Sequence, residues 1–168
     1  MTEKYFSELA VAPDFLSDII ALTDVNNQQW QEHFGFNAIE LDHQLIQADP
    51  ALRAVNSVQA IGRLGLLMIK PSTFYKWHKD AHRLSCLNML VSRNHNSHTL
   101  FGEEIDGLNM SITELRYKPD TLYLFNNQAQ HCVINLDGPR YLFSLYFASE
   151  TPYEIVRQRL SSANLLRS

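Results

Sequence analysis

Cysteine is nearly absent from this chain. Cys86 and Cys132 are the only two in 168 residues, each among apolar neighbours, so no disulfide framework and no zinc site of paired CxxC motifs can be assembled. Two isolated thiols of this kind read as buried side chains in a reducing compartment, and a cytoplasmic location is expected. Positive charge is not in excess either: 14 Lys and Arg against 18 Asp and Glu leave a formal charge of −4. The basic footprint that a phosphate backbone requires is missing, so no nucleic-acid partner is expected. Long apolar runs are lacking as well, and residues 1–30 carry Asp and Glu throughout. Neither a signal peptide nor a membrane span is expected from them. No repeat, linker or low-complexity segment is visible, and no pattern speaks to oligomeric state.

What is present is enough apolar material, 45% of the chain, for one sizeable core, and the length suits a single domain over 1–168. Apolar residues at 15, 16, 19, 20 and 22, behind Pro13 and Asp14, predict a helix over 12–22. Residues 27–36 hold Trp30, Phe34 and Phe36 without a clean period, and a short helix is expected from Pro50. Residues 1–60 therefore read as a helical cover. From Arg63 the texture changes to short runs of β-branched and aromatic residues divided by Pro, Gly, Asn and Asp. Strands are predicted over 63–69, 74–78, 84–91, 98–101, 112–117, 121–125, 130–135 and 140–147, with turns at 93–96, 106–107, 118–120 and 137–139. About eight closely spaced strands without crossover helices make a mainly β fold, a jelly roll or cupin-like double-stranded β-helix, with its core over 63–150. A closing helix is expected over 152–166, where Tyr153, Val156 and Leu160 stand at helical spacing.

The last strand splits by alternation. Tyr141, Phe143, Leu145 and Phe147 share one face, which only a covering layer would allow; Arg140, Leu142, Ser144 and Tyr146 share the other, which points into the barrel.

Two stretches carry chemistry. His78 and Asp80 stand at i and i+2 in Phe74-Tyr75-Lys76-Trp77-His78-Lys79-Asp80, and His131 opens a distant apolar strand. Extended backbone can turn the first pair toward one point, and His131 can supply a third, facial ligand. Two neutral imidazoles and a carboxylate suit Fe(II), leaving open positions for a bidentate cosubstrate and O2. A structural zinc site would need a closed set of four ligands, which the chain does not offer here. Taken alone, the HxD tripeptide more commonly marks a solvated strand end than a metal site, and His131 alone is no stronger, since it suits a satisfied core side chain.

Arg140 strengthens the pattern. A guanidinium aimed into an apolar barrel is costly unless an anion meets it, and a dicarboxylate gives it a two-oxygen partner. The competing reading pairs it internally with Asp137 or Glu114.

In order and spacing, Tyr75-x-x-His78-x-Asp80, Leu122-Tyr123-Leu124-Phe125, His131-Cys132-Val133 and Arg140 to Phe147 together resemble the Fe(II)/2-oxoglutarate-dependent dioxygenases, most of all their prolyl-4-hydroxylase-like branch. The resemblance covers residues 63–150. It implies a double-stranded β-helix with His78, Asp80 and His131 as iron ligands, and Arg140 on the distal carboxylate of 2-oxoglutarate. It also implies Tyr75 in the pocket and hydroxylation of an unactivated C–H bond, with succinate and CO2 as co-products. Ascorbate is a possible further requirement. The family pattern often places a tyrosine hydroxyl against 2-oxoglutarate in the strand after HxD. Here that place reads Leu90-Val91-Ser92, so Asn88, Ser144 and Tyr146 are the candidates to replace it.

The expected substrate is an amino acid, a peptide or a small metabolite, with residues 93–111 as a mobile specificity loop. Two other readings keep the scaffold: a cupin-like metalloprotein that does not use 2-oxoglutarate, and a non-catalytic jelly-roll binding module. Arg83 reads first as an exposed salt-bridge partner, with an ion pair behind the metal ligands or a contact to a substrate carboxylate as the alternatives. His82, His95 and His98 read as solvated, and Trp77 as packing.

Overall fold

The computed structural model describes residues 2–15, 19, 21, 30–33, 35–92 and 96–167. Eleven strands are present among them: β1 (Phe6–Glu8), β2 (Gln31–His33), β3 (Phe36–Glu40), β4 (Ile61–Ile69), β5 (Thr73–His78), β6 (Ser85–Leu90), β7 (Asn96–Asp106), β8 (Asn109–Leu115), β9 (Tyr123–Asn126), β10 (His131–Asp137) and β11 (Arg140–Phe147). Helices α1 (Leu45–Ala48), α2 (Pro50–Val58) and α3 (Tyr153–Ser162) and a 3-10 helix at Thr2–Lys4 accompany them. The strands form two antiparallel sheets, a seven-stranded one in the order β1-β9-β6-β11-β4-β3-β2 and a four-stranded one in the order β5-β10-β7-β8. This is a mainly β jelly roll of the double-stranded β-helix type.

The alternation expected in β11 is what the larger sheet uses. Tyr141, Phe143 and Leu145 are buried in one cluster with Leu64 and Leu66 of β4, Leu87 and Met89 of β6, Leu52 and Val55 of α2, and Val156 and Leu160 of α3. Arg140, Leu142 and Tyr146 face a cavity on the opposite side. Helix α2 starts where the sequence places it, because Pro50 cannot donate a hydrogen bond and Asp49 caps the turn by accepting from the Leu52 amide at 2.9 Å.

Two expectations need correction. Residues 1–60 are not only a helical cover, since β1 adds to β9, and β2 and β3 extend the sheet beyond β4. Three-residue strands at a sheet edge, half-buried or exposed, carry no alternation that a sequence pattern can register. Of the helix expected over 12–22, residues 16–18, 20 and 22 lie outside the described ones, while Ile19 and Ala21 are helical. The loop expected over 93–111 is mostly the β7–β8 hairpin, turned at Asp106, whose side chain accepts from the Leu108 and Asn109 amides at 2.9 Å each. Residues 93–95, and with them His95, are outside the described set.

The assignment of faces has a measurable consequence. Phe143→Ala, at 0% exposure, should lower the free energy of unfolding by about 3–5 kcal/mol. Ile112→Ala on the open face of β8, where the side chain is 49% exposed, should stay within about 0.5 kcal/mol. Urea unfolding of both variants checks the pair.

Candidate metal centre

Strands β5 and β10 run antiparallel with His78 directly opposite His131, and their ring centroids lie 4.2 Å apart. Further along, Val133 faces Tyr75 rather than Lys76, so β5 carries one more residue than β10 between the two pairs. This bulge reverses the alternation, as an extra residue must. It puts Tyr75 and His78 on the same face with ring centroids 4.6 Å apart. The place of Tyr75 in the pocket, which strict alternation does not supply, follows from it.

Asp80 lies just beyond β5, held by a hydrogen bond from its amide to the Asn127 carbonyl at 3.0 Å. Its Oδ1 sits 3.5 Å from His78 Nε2 and 3.7 Å from His131 Nε2. One ligand atom from each of the three residues lies within 4.8 Å of the other two. Both imidazoles are oriented by their own backbone: His78 Nδ1 donates to the Lys76 carbonyl at 2.8 Å and His131 Nδ1 to the Ala129 carbonyl at 2.9 Å. With Nδ1 carrying the proton, each Nε2 keeps its lone pair and turns it toward Asp80.

The protonation states follow from burial and neighbours. Burial pushes His131 down to about 4, so this imidazole is neutral near pH 7. Burial also opposes ionisation of Asp80, but the neighbouring His78 ring and the Arg83 guanidinium outweigh it and hold the carboxyl well below the usual carboxylate range. The same Asp80 contact raises His78 above its ordinary value. Two imidazole nitrogens and an ionised carboxylate oxygen, converging from one side, are a donor set that fits Fe(II).

The centre opens into a cavity of about 530 Å³ between the two sheets. Phe125 packs edge-on against His131, with centroids 5.0 Å apart. Phe36 stands edge-on to Tyr75 at 6.2 Å. Gly35, at φ +84°, lets the β2–β3 turn press so close that a Cβ there would lie 3.0 Å from the Tyr75 ring.

Arg140 lines the same cavity and is 2% exposed. Its Nη2 donates to Thr99 Oγ1 at 2.9 Å, its guanidinium lies 5.7 Å from the Tyr117 ring centroid, and its Nε has no hydrogen-bond partner. Burial lowers its pKa from the ordinary value, with Tyr117 acting against the shift. Neither expected internal partner is engaged with it. Glu114 pairs with His98 and Arg116, and Asp137 accepts from Asn96. Among the described residues no carboxylate forms an ion pair with Arg140, so a buried cation is left for an anion that fits the cavity.

The candidates to replace the missing hydroxyl are distributed differently. Asn88 lines the cavity, with its Oδ1 accepting from Ser144 Oγ at 2.7 Å. Ser144 is fully buried behind it and is not among the lining residues. Tyr146 lines the cavity with its ring against the Arg83 guanidinium, 4.3 Å from the centroid. Arg83 itself is not the exposed salt-bridge partner expected, because its side chain is 20% exposed and bonded to Asp80. His82 is exposed at the cavity mouth, and Trp77 packs over Gly102 instead of lining the cavity. Thr99, Tyr117 and Asn127 join the site without a sequence signal. Tyr117 lies two residues beyond the end of β8, and nothing in its neighbours marks it as facing Arg140.

No protein-family model and no curated protein matches the chain. Solved structures do match it. A prolyl-4-hydroxylase from Pseudomonas putida superposes with a TM-score of 0.62 at 15% identity, covering 87% of this chain and 94% of the other. The viral collagen prolyl hydroxylase of Paramecium bursaria Chlorella virus-1, solved with 2-oxoglutarate, gives 0.56 at 12% identity, covering 85% and 95%. A non-heme α-ketoglutarate-dependent epimerase of nogalamycin biosynthesis gives 0.65 at 9% identity, covering 88% and 79%. At these identities the likeness is one of fold, and the fold of this chain is that of the 2-oxoglutarate/Fe(II) oxygenases, prolyl-4-hydroxylases among them.

Proposed function

We propose that the chain is an Fe(II)- and 2-oxoglutarate-dependent dioxygenase that hydroxylates an unactivated C–H bond of an amino acid, a peptide or a small metabolite. The observation that carries this reading is Arg140: a buried guanidinium without a carboxylate partner, in the same cavity as a facial set of two imidazoles and a carboxylate. Bound at that set, Fe(II) with 2-oxoglutarate supplies O2-dependent chemistry in which loss of CO2 from the cosubstrate, leaving succinate, is coupled to oxidation of the substrate.

The protein's own contributions are orientation and exclusion of water. His78, Asp80 and His131 hold the ion on one side, each constrained by a hydrogen bond outside the ion's reach. Arg140 and Thr99 hold the distal carboxylate of the diacid. Thr99 pairs with Val133, two residues along β10 from His131, a step of about 7 Å along the strand. A five-carbon diacid can span such an offset between an ion and a guanidinium. Leu67, Ile69, Val133 and Leu142 give the intervening cavity apolar walls, which strengthen the charge pairing by keeping water out. Asn88 offers an amide at the wall where related proteins carry a hydroxyl. The fold neighbours include an epimerase as well as prolyl hydroxylases, so hydroxylation is the simplest outcome of this chemistry, and the substrate decides it.

Three measurements test the reading. Anaerobic addition of Fe(II) and 2-oxoglutarate should give the weak visible charge-transfer band of the chelate, and His131→Ala should abolish it; fully metallated wild-type protein without the band rejects the assignment. Arg140→Ala should keep the ion but weaken 2-oxoglutarate at least tenfold, read by titrating the same band. Because Asp80 raises His78 above its ordinary value, protons compete for that ligand first, and His131, at about 4, stays out of the competition. Metal affinity should therefore fall by about tenfold per pH unit on the acid side of the raised His78 value, a slope of one proton. Co(II) titrations between about pH 5.5 and 8 check the slope, and a slope of two would mean that His131 also binds a proton there.

A further inference from the structure

The two oxygens of Asp80 are treated differently. Oδ1 faces the imidazoles, whereas three donors converge on Oδ2: Arg83 Nε at 2.8 Å, Arg83 Nη2 at 2.7 Å and Asn127 Nδ2 at 2.8 Å. We infer that Arg83 and Asn127 are positioning residues that make Asp80 a one-oxygen metal ligand, with Oδ2 withheld from the ion and Oδ1 presented to it. The inference rests on the metal-centre part of the proposed function, not on the choice of cosubstrate.

The physical reason is rotation. A carboxylate on a short side chain turns easily about its last bond and can offer both oxygens to a cation, occupying a position that a facial site must keep open. Saturating Oδ2 removes that freedom. A ligand held in this way also reaches the ion without having to be reoriented.

Arg83 is built to hold still. Its guanidinium stacks on the Tyr146 ring, 4.3 Å from the centroid, and Nη1 lies 3.4 Å from Ser144 Oγ on β11. Gln128 Nε2 ties down the connecting backbone by donating to the carbonyls of Asp80 at 2.9 Å and Arg83 at 3.2 Å. Asn127 is equally constrained, 1% exposed, with its amide nitrogen bonded to the Leu84 carbonyl at 3.2 Å and its carbonyl accepting from the Asp80 amide at 3.0 Å. The carboxylate thus meets donors from two separate stretches of chain, each anchored elsewhere.

The test is Co(II) binding, followed by its visible d–d absorption, in wild-type protein, Arg83→Gln, Arg83→Lys and Asn127→Ala, with far-UV circular dichroism and Tm measured alongside. In folded Arg83→Gln the affinity for Co(II) should drop about 10- to 100-fold, the range found when a partner of a metal ligand is removed, and the d–d band should change. Arg83→Lys, which keeps the charge but loses the planar fork, should recover part of the loss. Asn127→Ala should show a smaller drop in the same direction. A purely structural role would lower Tm and leave both affinity and spectrum as in wild type, and that result overturns the inference. Should Arg83→Gln fail to fold, Arg83→Lys and Asn127→Ala decide: wild-type affinity in both overturns it. Wild-type protein that binds Co(II) in this pattern but not 2-oxoglutarate would support the positioning role while removing the dioxygenase reading; protein that binds no Co(II) would remove both.

Discussion

The pairing of β5 with β10 is the constraint on which the site depends. It sets His78 against His131, two residues that the sequence keeps far apart, and backbone hydrogen bonds along the ladder fix their separation. The bulge in β5 then brings Tyr75 onto the face that carries His78. Beyond the strand end, the hydrogen bond from the Asp80 amide to the Asn127 carbonyl holds Asp80 beside both imidazoles. Irregular pairing of this kind gives up ladder hydrogen bonds, and it is common where a strand has to re-aim a side chain.

A second constraint is the unbalanced charge of Arg140. Several other charges are paired: Asp80 has Arg83, Glu8 has Lys118 and Arg167, and Glu114 has Arg116. Arg140 is among the most buried polar residues, yet among the described residues it meets the Thr99 hydroxyl and Tyr117 and no carboxylate. A fold that leaves a cation so placed forgoes stability that a nearby acid would restore. Arg83 and Arg140 thus differ in pairing: the first guanidinium is bonded to a carboxylate within the protein, and the second to none among the described residues.

Much of this was legible in the residues. The strands from residue 61 onward sit within a few positions of where β-branched and aromatic runs place them, apart from the longer β7–β8 hairpin, and the two faces of β11 separate as alternation requires. His78, Asp80, His131 and Arg140 could be picked out because each combines a metal- or anion-binding side chain with a position on or beside a strand. The short strands β1 to β3 were not readable, since pairing energy from the neighbouring strands, not local pattern, makes them. The bulge was not readable either, because register belongs to two strands jointly. For the same reason Arg83 passed for a surface residue, and Thr99, Tyr117 and Asn127 went unmarked: what makes each of them part of the site is a partner remote in the chain.

The turn at Gly35 ties the rim of the larger sheet to the histidine-bearing face of the smaller one. With only hydrogen where a methyl would meet the Tyr75 ring, and with Tyr75 in turn resting on His78, contact runs unbroken from this hairpin to an imidazole. A side chain at residue 35 would press first on Tyr75 and, through it, on His78, so the packing of this turn and the setting of that imidazole are not independent.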